Sequence, residues 1–295
     1  MKEALIKLHI AVLIAGTTGL FGKLISLSEF PLTWFRIVIA ALIFWVIMAA
    51  SKKLHAVTLV NAMKMGGVGA LLAIHWVLFY GSIKYSNISI GVVCFSSVGF
   101  FTAIFEPMLT HSKFSLRELG FSLLTIAGIL LIFHFDTRYR FGIALGIVSA
   151  ALNALYTIAN KLTAKSSGYP SSTLLLYALT GGAVVMTVLV PFWTMVDPMV
   201  RLMPTAADFA WLLVLASFST ILLYILQFQV LKVISAFTVN LTYNLEPIYS
   251  IVMAMLFFGE AHELNASFYV GLLLIFLSVG LQMYSVTHHK AESLS

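Results

Sequence analysis

Ten apolar stretches follow one another along this sequence, at about 4–25, 31–50, 62–83, 88–110, 116–135, 141–161, 173–196, 208–230, 237–258 and 267–286. Each is close to the ~20 residues that an α-helix needs to cross ~30 Å of hydrocarbon. Together they fill about three quarters of the 295 residues, so short connections remain and no soluble domain fits between them. Inside a bilayer every backbone N–H and C=O must be bonded within the protein, which allows only helices or a closed barrel. Barrel strands alternate polar and apolar residues over ~10 positions. These stretches are apolar all round, so helices are expected. Composition agrees: 61% of residues are hydrophobic and 9% are charged, against about 25% charged in soluble domains. Mean hydropathy is +1.02. A cytosolic enzyme, a nucleic-acid binder and a disordered chain are excluded on this ground. Residues 8–22 are followed by no small-x-small cleavage site, so a cleaved signal peptide is not expected. The single cysteine, Cys94, lies in an apolar run, which rules out an intrachain disulfide and a cysteine-based metal site.

The net charge of +6 is spread one or two residues per connection. That pattern points to orientation in a membrane, not to nucleic acid. With the N-terminus in the cytoplasm, eleven Lys and Arg residues fall inside and five outside, and Arg36 lies within the second helix. The bias predicts both termini on the cytoplasmic side of a plasma membrane, the inner membrane of a bacterium. The two halves also resemble each other. Lys23 closes helix 1 and Lys84 follows helix 3; Lys161 closes helix 6 and Lys232 follows helix 8. Five helices per half is an odd number, so the second half must enter the membrane upside down. The expected fold is therefore an all-α integral membrane protein. Its ten transmembrane helices form two inverted five-helix repeats, 1–140 and 141–295, around a central cavity. Two such halves can exchange conformations and open a shared midplane site to each side in turn.

A series of short motifs runs through both halves. Gly19-Leu20-Phe21-Gly22-Lys23-Leu24 ends helix 1, Trp34-Phe35-Arg36 enters helix 2, and His75-Trp76 lies in helix 3. Ser82-Ile83-Lys84-Tyr85-Ser86 and Phe101-Thr102-Ala103-Ile104-Phe105-Glu106-Pro107 follow. Asn160-Lys161-Leu162, Asn244-Leu245-Glu246-Pro247 and Phe258-Gly259-Glu260 continue the series in the second half. Taken in order, they are similar to the EamA-type transporters of the drug/metabolite transporter superfamily, as two repeats near 8–133 and 142–285. The resemblance implies a ten-helix inverted repeat with a central cavity that carries amino acids, other small metabolites or drugs. Small multidrug-resistance members of the superfamily use a glutamate in the middle of their first helix. Here Glu3 precedes helix 1, and a proton-coupled drug antiport of that kind is not supported.

An ionisable side chain in hydrocarbon costs at least ~2.5–3.5 kcal/mol unless it faces a partner or a wet cavity, so intramembrane polar residues are the candidates. Glu246 precedes Pro247, which removes a helical hydrogen bond and breaks helix 9. Asn240, Tyr243, Asn244 and Pro247 recur at helical spacing and share one face. Glu246 is read either as an ion or substrate ligand, or as a group that caps its own kink. His75, Trp76 and Tyr80 on helix 3 offer a proton relay or donor and an aromatic wall, or plain packing. Ser96 and Ser97 on helix 4 can donate to a substrate, or back-bond to their own helix. Asn153, Tyr156 and Asn160 line one face of helix 6, and Gln227 and Gln229 lie near the end of helix 8. Coupling or gating candidates are Glu246, Glu106, Lys23 and Lys161, with Glu106 read first as solvated or lysine-paired. Arg36 is expected to snorkel to the interface or to pair with Glu29, ahead of a substrate-carboxylate clamp. Gly16, Gly19, Gly22, Gly66 and Gly69 read as close helix packing.

No HExxH, Walker loop or helix-opening GxGxxG occurs, and the histidines are dispersed. No catalytic residue, metal or cofactor is expected. The leading function is a secondary transporter, an exporter of amino acids or related metabolites. Its expected partners are a small-molecule substrate and the lipid bilayer, and its expected state is a monomer or homodimer. An intramembrane hydrolase or lipid-modifying enzyme using Glu246 and His75, and a scaffold with no transport path, are the alternatives.

Overall fold

The structure, a computed structural model, describes residues 2–111, 113–135, 137–231, 243 and 245–292. Twelve α-helices appear among them: α1 (Lys2–Leu24), α2 (Glu29–Ala50), α3 (Leu59–Lys84), α4 (Ile88–Phe95), α5 (Val98–Thr110), α6 (Leu116–Phe135), α7 (Arg140–Ser167), α8 (Ser171–Val196), α9 (Ala206–Ala216), α10 (Leu223–Leu231), α11 (Glu246–Phe258) and α12 (Ala266–Glu292). No strand occurs among the described residues. Seven helical segments are long and apolar enough to cross a membrane, and three shorter apolar ones, Leu119–Ile132, Glu246–Phe258 and Ala266–Ser278, accompany them.

Local chemistry sets several boundaries. The Thr58 hydroxyl accepts from Asn61 N at the start of α3, and the Asn87 side chain accepts from Ile90 N at the start of α4. Thr205 and Asp208 form a reciprocal capping box on α9. Gly168 and Gly259, at φ +69 and +67, end α7 and α11 in the left-handed region that a side chain disfavours.

Two expected continuous helices are interrupted. The fourth apolar stretch splits at Ser96-Ser97 into α4 and α5. The eighth carries a π-helical turn, Ser217–Leu222, between α9 and α10. Helix α1 begins at Lys2, earlier than expected, so Glu3 lies in its first turn and pairs with Lys7 at 2.7 Å. Of the ninth stretch, α11 is described only from Glu246 onward; Lys232, Asn240 and Asn244 lie outside the described residues.

The helix contacts are reciprocal between the halves. Helix α3 packs on α7 and α8, while α9 and α10 pack on α2 and α1. Helix α4 meets α7 while α11 meets α1; α4 meets α11, and α6 meets α12. Small residues permit the tightest crossings. A Cβ on Gly69 of α3 would stand 1.7 Å from the Ala178 carbonyl oxygen of α8. On α6 and α12, a Cβ on Gly128 would lie 2.6 Å from Gly271 O, and one on Gly271 would lie 2.6 Å from Gly128 O. The sequence reading of Gly69 as a packing glycine is borne out.

Candidate functional site

Seven spanning segments and three shorter apolar helices could bury every polar group against lipid or one another. This bundle instead encloses a cavity of about 390 Å³ between its halves. Ala15, Thr18, Arg36, Leu72, His75, Trp76, Phe79, Phe95 and Val98 line it from the first half. Asn153, Tyr156, Thr157, Ser219, Leu223, Tyr224, Gln227, Tyr243 and Glu246 line it from the second. A second cavity of about 310 Å³ shares Tyr156, Thr157, Tyr224 and Gln227 with it and reaches Asn160 and Ser171. A third, of about 540 Å³, continues from Ser171 to Ser51, Lys53 and Gln229. The chamber therefore extends toward the end of the bundle that carries Lys53.

The opposite end is tied shut. Asp208, 2% exposed, accepts from Ser26 N at 2.6 Å, from the Ser26 hydroxyl, from Thr205 N and Oγ1, and from Arg201. Arg201 also donates to Ser26 Oγ. Lys84 donates to Ile25 O at 2.6 Å. The Glu260 carboxylate, fully buried, accepts from Ile88 N, Ser89 N and Ser89 Oγ at 2.7–2.8 Å. It satisfies the first free amides of α4, where the helix dipole favours a negative charge. Lys23 Nζ stands 3.9 Å from the same carboxylate.

Arg36 corrects the sequence reading. It neither snorkels nor pairs with Glu29; it is 3% exposed and turned inward to the cavity. Its Nη1 donates to Tyr80 OH at 2.9 Å, Nε to Thr220 Oγ1 at 3.2 Å, and Nη2 to Ser219 O at 3.5 Å. The guanidinium carbon lies 3.6 Å from the Trp76 ring centre. The reason is depth. Arg36 sits seven residues past the start of α2, about 10 Å along the axis, and the acceptors gathered inside outweigh the reach to the interface. The π-helical turn supplies two of them: the extra residue in that turn swings Ser219 and Thr220 inward, and Thr220 Oγ1 bonds back five residues to Leu215 O.

His75 stacks on Phe95 at 5.4 Å between ring centres. Ser149 donates its hydroxyl proton to His75 O at 2.9 Å, so the 3.1 Å contact between Ser149 Oγ and His75 Nδ1 requires the ring to donate. With Nδ1 donating, Nε2 of a neutral ring is the nitrogen free to accept. Tyr156 OH and Tyr224 OH meet at 3.3 Å across the cavity wall. Glu246 opens α11 with Pro247 in its first turn, where a missing N–H is tolerated. The proline thus starts a helix segment here. The hydroxyl of Tyr243, beside Glu246 in the lining, is buried and has no hydrogen-bond partner among the described residues.

The structure brings His75, Trp76, Asn153, Tyr156, Tyr243 and Glu246 to one cavity and Asn160 to its extension. Tyr80 lies behind the lining as the partner of Arg36. Ser96 and Ser97 bond to Val92 O and Cys94 O of their own helix and stay outside the lining. Glu106 is paired, by Lys161 Nζ at 2.6 Å, at the end of the bundle away from Lys23 and Glu260. Sequence reasoning passed over Ser219, Thr220 and Tyr224; the signal was a hydroxyl-rich run, Ser217-Phe218-Ser219-Thr220, in mid-stretch.

No curated relative matches the chain. A solved structure, described only as "Crystal structure of protein", aligns over 95% of this chain and 96% of that one, at 16% identity and a TM-score of 0.61. At that identity the likeness speaks for the fold alone. Residues 3–134 and 140–284 both match the EamA-like transporter family. With two repeats spanning nearly the whole sequence, the chain belongs to the EamA-like transporter family.

Proposed function

We propose that this protein is a secondary transporter of amino acids or related small metabolites, exporting them across a plasma membrane by alternating access. One observation carries the reading: a chamber with polar side chains from both halves lies between them, and it is extended at one end while the other is bonded closed. A volume of about 390 Å³ suits a small metabolite. The reciprocal helix contacts support two exchangeable halves, related as inverted five-helix repeats by the odd number of crossings in each. The excess of Lys and Arg on the Lys53 side supports reading that end, and both termini, as cytoplasmic. The chamber then faces the cytoplasm, as an exporter loading its cargo requires.

The enzyme alternative finds no support in the site. Ser149, the hydroxyl beside His75, donates to a backbone carbonyl, as a structural hydroxyl does. Purified protein in liposomes tests the proposal. Flux of labelled amino acids, nucleosides or cationic drugs above that of empty vesicles is expected for the first class. No flux for any of them overturns it.

A further inference from the structure

The cavity carries a cation, Arg36, that no carboxylate among the described residues neutralises. Arg36 has no carboxylate partner among the described residues, although Glu246 lines the same chamber. A buried charge without a counter-ion is strongly disfavoured, yet the fold holds this one in place with three acceptors and an aromatic face. A guanidinium has five N–H bonds. Tyr80, Thr220 and Ser219 engage one each on Nη1, Nε and Nη2. One N–H remains on each terminal nitrogen, which is the number a carboxylate with two oxygens accepts. Stacking on Trp76 fixes the plane without using a donor. The unpartnered Tyr243 hydroxyl beside Glu246 is a second, independent sign that the chamber is completed by a polar ligand.

We propose that Arg36 is the anchor for the carboxylate of the transported solute, and that Glu246 receives a positively charged group on the same molecule. A chamber with one cation and one carboxylate that are unpaired among the described residues complements a zwitterion. The ligand class is therefore the free α-amino acid, with its carboxylate on Arg36 and its ammonium toward Glu246. This assignment rests on the chamber being the transport site, but binding can be tested apart from flux.

The test uses the purified full-length protein and equilibrium binding, read as displacement of a radiolabelled amino acid and as thermal shift. The probes are a panel of L-amino acids, their primary amides, which lack the carboxylate, and their des-amino acids, which lack the ammonium. Wild type is expected to bind at least one amino acid about tenfold or more tightly than its amide. Arg36→Gln should abolish that preference, and Arg36→Lys should retain part of it. Glu246→Gln should weaken the amino acid and leave the des-amino acid unchanged. If Arg36→Gln fails to fold, the wild-type acid and amide pair and Arg36→Lys still decide. Equal binding of acid and amide by wild type, binding of neither, or full acid preference in Arg36→Gln overturns the assignment. Acid-selective binding without flux in liposomes would sink the transport reading and leave the anchor standing. Flux confined to carboxylate-free solutes, unchanged in Arg36→Gln, would sink the anchor and leave transport standing.

Discussion

Gly69 of α3 and Ala178 of α8 meet backbone to backbone: a methyl group on Gly69 would lie 1.7 Å from the Ala178 carbonyl oxygen. Gly182 closes on the same spot, with its own Cβ position 2.7 Å from Gly69 O. Neither contact can yield by a side-chain rotation, because the atoms struck belong to helical backbone. Helix α3 carries His75 and Trp76 into the chamber, so this crossing also fixes the site. Gly69→Ala should force α3 and α8 apart at a cost of about 3 kcal/mol or more. Gly67→Ala, where nothing lies within 4 Å, should be neutral. Thermal unfolding of the two purified variants, followed by size-exclusion chromatography, checks this. Equal midpoints would contradict the crossing.

Asp208 holds the closed end together as acceptor for Ser26, Thr205 and Arg201. Removing its charge leaves the buried acceptor poorly matched to these donors. Asp208→Asn should cost about 1–3 kcal/mol, lowering the unfolding midpoint, and should raise the reactivity of cysteines introduced beside Ser26. A variant as stable and as closed as wild type would show that the cluster does not hold this end.

The chain of cavities makes a sidedness prediction. Cys94 is 1% exposed and should not react with aqueous thiol reagents. In a Cys94→Ala background, a cysteine at Asn160 should be labelled by a membrane-impermeant maleimide from the Lys53 side only. Labelling from the opposite side alone would reverse the orientation of the pathway.

Glu106 and Lys161 join the two halves at the end of the bundle away from Asp208, with the lysine side chain 69% exposed. Solvent screens such a pair, so either single neutralisation should change stability by about 1 kcal/mol or less. Its consequence should appear in flux if the pair opens and closes with the cycle. The swap of Glu106→Lys with Lys161→Glu should then recover transport that each single change lowers. Single variants with wild-type flux would confine the pair to surface chemistry.

Membrane insertion, helical class and two repeats followed from the sequence because hydrocarbon leaves a backbone few options: a run of apolar residues near the right length must be a helix. The same argument marked Glu246, His75, Asn153 and Tyr156, since a polar group in an oily stretch needs an interior to face. Periodicity could not say which interior. Ser96 and Ser97 sit in just such a stretch and bond to their own helix, because a hydroxyl carries a carbonyl acceptor within reach wherever its helix goes. Arg36 shows the converse. Its side chain is long enough to reach water, and only the meeting of α2 with α3 and the π-helical turn, from opposite halves of the chain, decided that it turns inward. Helix formation is local and legible residue by residue. Ion placement depends on which acceptors arrive from elsewhere, and those contacts exist only after the halves have packed.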